Sequence, residues 1–402
     1  MSTARSTSSL IPAYARLPVS FDRGAGVRLW DQSGNEYMDA LGGIAVCALG
    51  HSHPAITDAI TEQAKTLLHT SNLFSITHQE NLATKLCELT GMDAVFFANS
   101  GAEANEAAIK LSRLHARRKN IDHPVVITFN GSFHGRTMAT LAATGNEKVH
   151  NGFSPLVSEF IHLPYNDVAA IENVADNKNI VAIMVEPILG EGGIVVPDSS
   201  YLRAIRAICD QQNWLMICDE IQTGVGRTGH WYASTGNGIT PDVLTSAKAL
   251  GNGIPIGACL THGDAATLIQ PGHHGSTFGG NPFATRVALT VLETMEQEKT
   301  PANAKATGDI LLSKLGDALH NRPEVKEVRG SGMMIGIELD TDCTGLVNTG
   351  LENRIVFNVA AGNTVRLLPP CNLNETETSE IARRVADSIV QHCETSKPVT
   401  NT

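Results

Sequence analysis

The chain has 402 residues, enough to bury a large core and to hold one big α/β unit with a smaller companion. Its formal charge of −11 argues against nucleic acid or an anionic membrane surface as the main partner, because both require clustered positive charge. An anionic ligand must therefore be held by local arginines.

Eight cysteines, at 47, 87, 209, 218, 259, 343, 371 and 393, form no CxxC pair, and several lie in apolar runs where a thiol packs well. That usage points to a reducing compartment. The polar start Met1–Ser9 has no apolar core of signal-peptide length, and no later apolar run reaches the ~18 residues of a membrane span. A soluble cytoplasmic protein with no membrane partner is expected.

In chain order, Val27–Trp30 and Glu36–Met38 flank the Gly-bearing stretch Asp31–Asn35, the pattern of a β-hairpin. Gly42–Pro54 is small and flexible, and Ala55–Thr70 has helical spacing. His51 and His53 lack a carboxylate or cysteine at ligand spacing, so they read as a loop pair and no metal site is assigned. Ala94–Ala98 then leads through Asn99-Ser100-Gly101-Ala102 into a helix reaching about Leu114: strand, glycine turn, helix. Free N–H groups at that helix start, with the Ser100 hydroxyl, suit either a phosphate or a plain cap.

Val125–Phe129 is a second buried-type strand, followed by a glycine-bounded loop carrying Phe133 and Arg136. Phe133 suits stacking on a cofactor ring and Arg136 suits clamping a carboxylate, beside the plainer reading of a core Phe and a surface Arg. Ile180–Val185 delivers Glu186 and Glu191 to the same sheet edge, and Ser199–Asn213 has helical spacing. Trp214–Cys218 is a fourth such run, and Asp219 at its carboxyl end sits where open α/β sheets place their ligands. After Pro241–Thr245, Lys248 stands among Ser, Ala and Gly. A Schiff-base lysine needs such a small, partly desolvated setting, and a pyridine-ring cofactor needs a carboxylate facing its ring nitrogen. Taken alone, Asp219 is more often a helix cap or salt-bridge partner and Lys248 a solvated loop lysine; only their conjunction carries the chemistry.

Gly224–Gly229 fits the letters GxGxxG, but Glu220–Thr223 separate it from the strand and no helical period follows. The dinucleotide reading is rejected on that context. Gly275–Pro282 is a polar, glycine-rich loop whose Ser276 and Thr277 hydroxyls suit a phosphate, and a helix follows to about Glu298. The tail reads as strands at Val325–Gly330, Met334–Leu339 and Thr364–Pro370, then a helix over Glu375–Cys393. Arg366, framed by apolar residues, needs an anionic partner. The expected fold is α/β, with a mostly parallel central sheet flanked by helices and a smaller α+β C-terminal domain. Its expected divisions are 1–54, 55–300 and 301–402.

Seven motifs, GGIAVCALGHSHP (Gly42–Pro54), NSGAEANE (Asn99–Glu106), SFHGRT (Ser132–Thr137), EPILGEGG (Glu186–Gly193), DEIQTGVGRTG (Asp219–Gly229), SAKALG (Ser246–Gly251) and STFGGNP (Ser276–Pro282), together resemble one family. It is the class III, fold-type I aminotransferases dependent on pyridoxal 5'-phosphate, and within it the group acting on acylated ornithines. The resemblance covers nearly the whole chain. It implies that Lys248 bonds the cofactor, Asp219 pairs with the ring nitrogen, Gln222 bonds the ring oxygen and Phe133 stacks on the ring. Ser100, Gly101 and Ala102 would hold the phosphate, and Thr277 would reach the phosphate of the neighbouring subunit with Ser276 near the substrate, in a homodimer with shared sites. Arg136 would take one substrate carboxylate and Arg366 the α-carboxylate of glutamate, with Glu191 shielding Arg366 for the other substrate. N-acetylornithine and 2-oxoglutarate are the implied substrates. Succinylornithine, ornithine or 4-aminobutyrate transamination are neighbouring alternatives, and a non-catalytic binding protein on the same fold is an alternative of another class.

Overall fold

The run Ile180–Val185 contains no polar side chain and forms a strand buried along its whole length. Such a strand belongs in the middle of a sheet covered on both faces. Across the sheet the strand order is Ala94–Ala98, Gly257–Thr261, Val243–Ser246, Leu215–Asp219, Ile180–Val185, Val125–Phe129 and Phe160–Leu163. Only Gly257–Thr261 runs antiparallel to its neighbours. The sheet is thus mostly parallel, as the repeating strand–helix pattern implies. In this computed structural model residues 9–395 are described, and most of the polar start read above lies outside them.

Helices cover both faces. On one, the helix Gly101–Arg118 packs Ala107, Ala108 and Leu111 against Val126, Met184 and Ile217. On the other, Tyr201–Gln212 packs Leu202, Ile205 and Cys209 against Ile127, Ile183 and Met216. Ile183 is fully buried at 0 % exposure, so truncating it to Ala should cost about 2–5 kcal/mol.

Several elements are not legible in the sequence pattern, among them the strands Phe160–Leu163 and Gly257–Thr261 and the helices Thr77–Thr90 and Thr300–Leu319. Elsewhere the bounds moved. The helix expected over 55–70 is Pro54–Thr66, with Pro at its first position where no N–H is needed, and the helix from Gly101 continues to Arg118.

The hairpin forms between Arg28–Asp31 and Glu36–Asp39, but it is not isolated: Glu36–Asp39 also pairs in parallel with Ile355–Val356. The start of the chain is thereby joined to its C-terminal part. That part carries an antiparallel sheet in the order Val325–Ser331, Met334–Leu339, Thr364–Leu367, Asn358–Ala360. Arg329 ties it to the central part by donating to the carbonyls of Ile194 at 2.8 Å and Gly193 at 2.7 Å. Among the described residues no helix is long and apolar enough to cross a membrane.

Candidate active site

Four loops leave the carboxyl ends of parallel strands and converge. Val125–Phe129 delivers the loop with Phe133 and His134, Ile180–Val185 delivers Glu186 to Glu191, Leu215–Asp219 ends on Asp219, and Val243–Ser246 leads to Lys248. With the start of helix Gly101–Arg118 they wall a cavity of about 460 Å³, a size suited to a small cofactor with part of a substrate.

Asp219 is buried and held from three sides. Its Oδ2 accepts from Asn105 Nδ2 at 2.7 Å and contacts His134 Nδ1 at 2.8 Å, and its Oδ1 accepts from Ile221 N at 3.1 Å. Asn105 is fixed in turn: its Nδ2 also donates to the His134 carbonyl at 2.8 Å, and its Oδ1 accepts from Thr245 at 2.7 Å. A carboxylate this constrained presents its charge in one direction.

Lys248 opens a short 3-10 turn and sits in the left-handed region at φ 45, a conformation costly for a residue with a side chain. Burial, the largest influence, holds its amine below the usual lysine value, against the pull of Glu191 and with the help of Arg366. A lysine depressed in this way has a larger share of the nucleophilic neutral amine at neutral pH.

Arg366 is fully buried. It donates through Nε to Asn358 at 3.1 Å and through Nη1 to Glu191 at 2.5 Å, while its Nη2 has no hydrogen-bond partner among the described residues. Burial pushes the Glu191 carboxyl up, Arg366 pulls it down further, and the net position is below the usual carboxylate range. Gln222 lies alongside, its Oε1 3.5 Å from Arg366 Nη1. Gly190 makes room for it, since a Cβ there would fall 2.4 Å from that Oε1. By contrast Arg136 is exposed at the mouth, with its guanidinium 5.5 Å from the Phe133 ring centre.

At the opposite end Ser100 caps the helix, its Oγ accepting from Glu103 N at 3.2 Å. The first-turn N–H groups of Gly101 and Ala102 point out of the helix start, as an anion site requires. A Cβ at Gly101 would lie 2.7 Å from Ile221 Cδ1, so this close approach needs glycine. The donor set, a helix start, a buried carboxylate and a depressed lysine around one cavity, fits a phosphorylated pyridine cofactor.

Nine of the predicted residues therefore meet: Ser100, Gly101, Ala102, Phe133, Arg136, Glu191, Asp219, Gln222 and Lys248 all line the cavity. Arg366 reaches it through Glu191 and Gln222. Ser276 and Thr277 do not line it. Ser276 Oγ accepts from Gly279 N at 2.9 Å and lies 3.2 Å from Asn99 Nδ2, and Thr277 is exposed.

Sequence reasoning gave no role to Asn105, His134 or Glu186. Asn105 and His134 lie 114 and 85 positions from Asp219, inside motifs whose other polar residues, Ser100 and Arg136 among them, drew the attention instead. Glu186 is buried against the cavity, its Oε1 accepting from Phe133 N at 2.8 Å and its Oε2 from Gly190 N at 3.1 Å. The histidine pair lies elsewhere: His51 pairs with Asp39 at 2.7 Å and His53 with Glu298 at 3.2 Å. Arg227, inside the rejected GxGxxG match, is fully buried and donates to the carbonyls of Met333 at 3.1 Å and Pro369. Those glycines thus belong to a packed turn.

Comparison with known proteins gives one consistent picture. A family profile described as "Aminotransferase class-III" matches residues 11–389. A Nitrosomonas europaea protein named acetylornithine aminotransferase is 50% identical over 380 residues, 94% of this chain and 97% of that protein. One of the same name from Methanothermobacter thermautotrophicus is 42% identical over 368 residues, covering 92% and 93%. Among solved structures, the ornithine aminotransferase of Toxoplasma gondii superposes with a TM-score of 0.93 at 35% identity, covering 96% of this chain and 94% of that one. The acetylornithine aminotransferase of Elizabethkingia anophelis gives 0.85 at 34% identity, covering 95% and 96%.

Proposed function

The chain belongs to the class-III aminotransferases, and from that premise we propose that it moves the δ-amino group of N2-acetylornithine to 2-oxoglutarate. The products are N-acetylglutamate 5-semialdehyde and glutamate, a step of arginine biosynthesis. The observation that carries this reading is the unlike state of two arginines at one cavity: Arg366 is masked by Glu191 at 2.5 Å, and Arg136 is exposed at the mouth. One pocket can then take two unlike substrates in turn.

The family cofactor is pyridoxal 5'-phosphate, which when bound supplies an electron sink for the pair released at the substrate carbon. Lys248 Nζ is the group that bonds it. The same nitrogen, when not bonded to the cofactor, would be the base that takes the proton from the substrate carbon and later returns it. Asp219, held by Asn105 and His134, would set its charge against the ring nitrogen before reaction. Ser100 and the N–H groups of Gly101 and Ala102 would hold the phosphate, Phe133 would cover the ring and Gln222 would bond the ring oxygen. Arg136 clamps the carboxylate of the acylated donor. For glutamate, Glu191 swings off and Arg366 takes the α-carboxylate in a fixed, dry setting.

A homodimer is part of the proposal. Leu67, Leu68, Leu73, Phe74 and Phe278 are exposed, at 45 to 86 %, and Asn72 Nδ2 bonds the Ser276 and Gly279 carbonyls at 3.0 and 2.9 Å. This apolar surface therefore adjoins the loop carrying Ser276 and Thr277, as a partner-completed site requires. The cytoplasm suits the buried thiols Cys209, Cys218, Cys259 and Cys371. The division into 1–54, 55–300 and 301–402 belongs to the same reading.

The test is visible absorption of the cofactor-loaded protein as acetylornithine, succinylornithine, ornithine and 4-aminobutyrate are added singly without a keto acid. Bleaching of the cofactor band selectively by acetylornithine is expected. Equal bleaching by succinylornithine would make it a dual-use acylornithine aminotransferase, bleaching by another donor but not by acetylornithine would displace acetylornithine as the substrate, and no cofactor band at all would end the transaminase reading.

A further inference from the structure

Glu186 is a buried carboxylate that none of the steps above uses. Its two oxygens face different loops: Oε1 accepts from the backbone N of Phe133 at 2.8 Å, and Oε2 from that of Gly190 at 3.1 Å. Phe133 covers the cavity and is followed by His134, which holds Asp219. Gly190 precedes Glu191, which holds Arg366. One side chain is thus bonded next to both working ends of the site. Its own backbone is anchored from below, because the Tyr165 hydroxyl donates to the carbonyls of Glu186 at 2.9 Å and Pro187 at 3.1 Å.

We propose that Glu186 is a positioning residue whose carboxylate ties the Phe133 loop to the Glu191 turn, so that the wall covering the ring and the gate on Arg366 hold one geometry. The functional consequence rests on the transaminase reading; the tie itself does not. Another buried carboxylate, Glu220, provides the contrast. It accepts from Ala233 N at 2.6 Å, Ser234 N at 2.8 Å and the hydroxyls of Ser234 at 2.6 Å and Thr223 at 3.0 Å, all outside the cavity. Both carboxylates join their own turn to a distant segment, but those that Glu186 joins carry Phe133 and Glu191, which line the cavity.

The tie carries a pH dependence. Burial pushes the Glu186 carboxyl up to about 7, with His134 opposing and Asp219 adding to the rise. Lys248 and Tyr165 are the other titratable groups that feel it. Two backbone donors are best met by the ionised form. A protonated carboxyl turns one oxygen into a donor, so one of the two bonds weakens as pH falls through about 7.

The experiment is residue-resolved amide exchange at Phe133 and Gly190 in the cofactor-loaded native protein on either side of neutrality, beside the Glu186→Gln variant. Both amides are expected to be protected above neutrality, with at least one losing roughly tenfold protection below it, the equivalent of one hydrogen bond. In steady state, KM for glutamate should rise several-fold below neutrality in the native enzyme with kcat less affected. That limb should be missing in Glu186→Gln and intact in Glu220→Gln. Protection that stays flat across neutrality, or a KM limb that survives in Glu186→Gln, would overturn the proposal. The native measurement needs no variant to fold. Protein that shows the exchange pattern without transaminating would sink the enzymatic reading and leave the tie standing; transamination with flat exchange would do the reverse.

Discussion

Glu191 Oε1 lies 2.5 Å from Arg366 Nη1, and the pair is asymmetric: the arginine side chain is 0 % exposed and the glutamate 35 %. The guanidinium is a fixed anchor and the carboxylate is the part free to leave. Replacing Glu191 with Gln removes the mask, so the ratio of kcat/KM for glutamate to that for the acylated donor should rise about tenfold or more. The Glu191 carboxyl is held below its usual range, so the charged pair is present above the ordinary carboxylate pKa and lost only as pH falls through the lowered value. Donor discrimination should therefore persist through mildly acid pH. Two half-reactions followed separately in Glu191→Gln would show an unchanged ratio if the mask has no such role.

Lys248 has its amine depressed chiefly by burial. In protein free of cofactor it should be acylated by acetic anhydride at a lower pH than the surface lysines Lys305 and Lys326, read by mass spectrometry of the peptides. Lys248→Ala should lower turnover by about a thousandfold or more, since both the bond to the cofactor and the proton transfer are lost. Turnover within tenfold of native would remove Lys248 from its role.

The site was legible wherever chemistry and position coincide in one short motif. Asp219 ends one parallel strand and Lys248 follows another, and the rule that such strands end at ligands needs no tertiary knowledge. Asn105, His134 and Glu186 escaped because their roles are set by partners on other strands. The strand Gly257–Thr261 escaped because it follows a glycine-rich turn and reverses direction between two parallel neighbours, so no βαβ rhythm announces it. The hairpin was readable from alternation, but its pairing with Ile355–Val356 joins strands from the two ends of the chain, beyond the reach of any local pattern.

Asn105 joins three elements through one amide, donating to Asp219 and to the His134 carbonyl and accepting from Thr245. Asn105→Ala leaves the Asp219 carboxylate short of a donor in a buried setting, which should destabilise the cofactor-free protein by about 2–3 kcal/mol. Asn105→Asp should be worse, because it sets a second carboxyl against Asp219 at the same depth. Thermal unfolding of the three proteins decides this. A variant as stable as native would mean that Asp219 is positioned by His134 and Ile221 alone.

Thr277 is exposed and lies outside the cavity that holds Lys248, and beside it Leu73 and Phe74 are 86 and 66 % exposed. If a second copy covers this surface, Leu73→Lys with Phe74→Lys should weaken the dimer at least about a hundredfold, seen as monomer in sedimentation velocity. Mixing subunits tests the shared site directly. In a hybrid of a Lys248→Ala subunit with a Thr277→Ala subunit, both lesions fall in one site if Thr277 acts across the interface, and the other site is intact. Activity should then exceed that of either parent variant. If Thr277 serves its own subunit, each site of the hybrid keeps one lesion and mixing restores nothing.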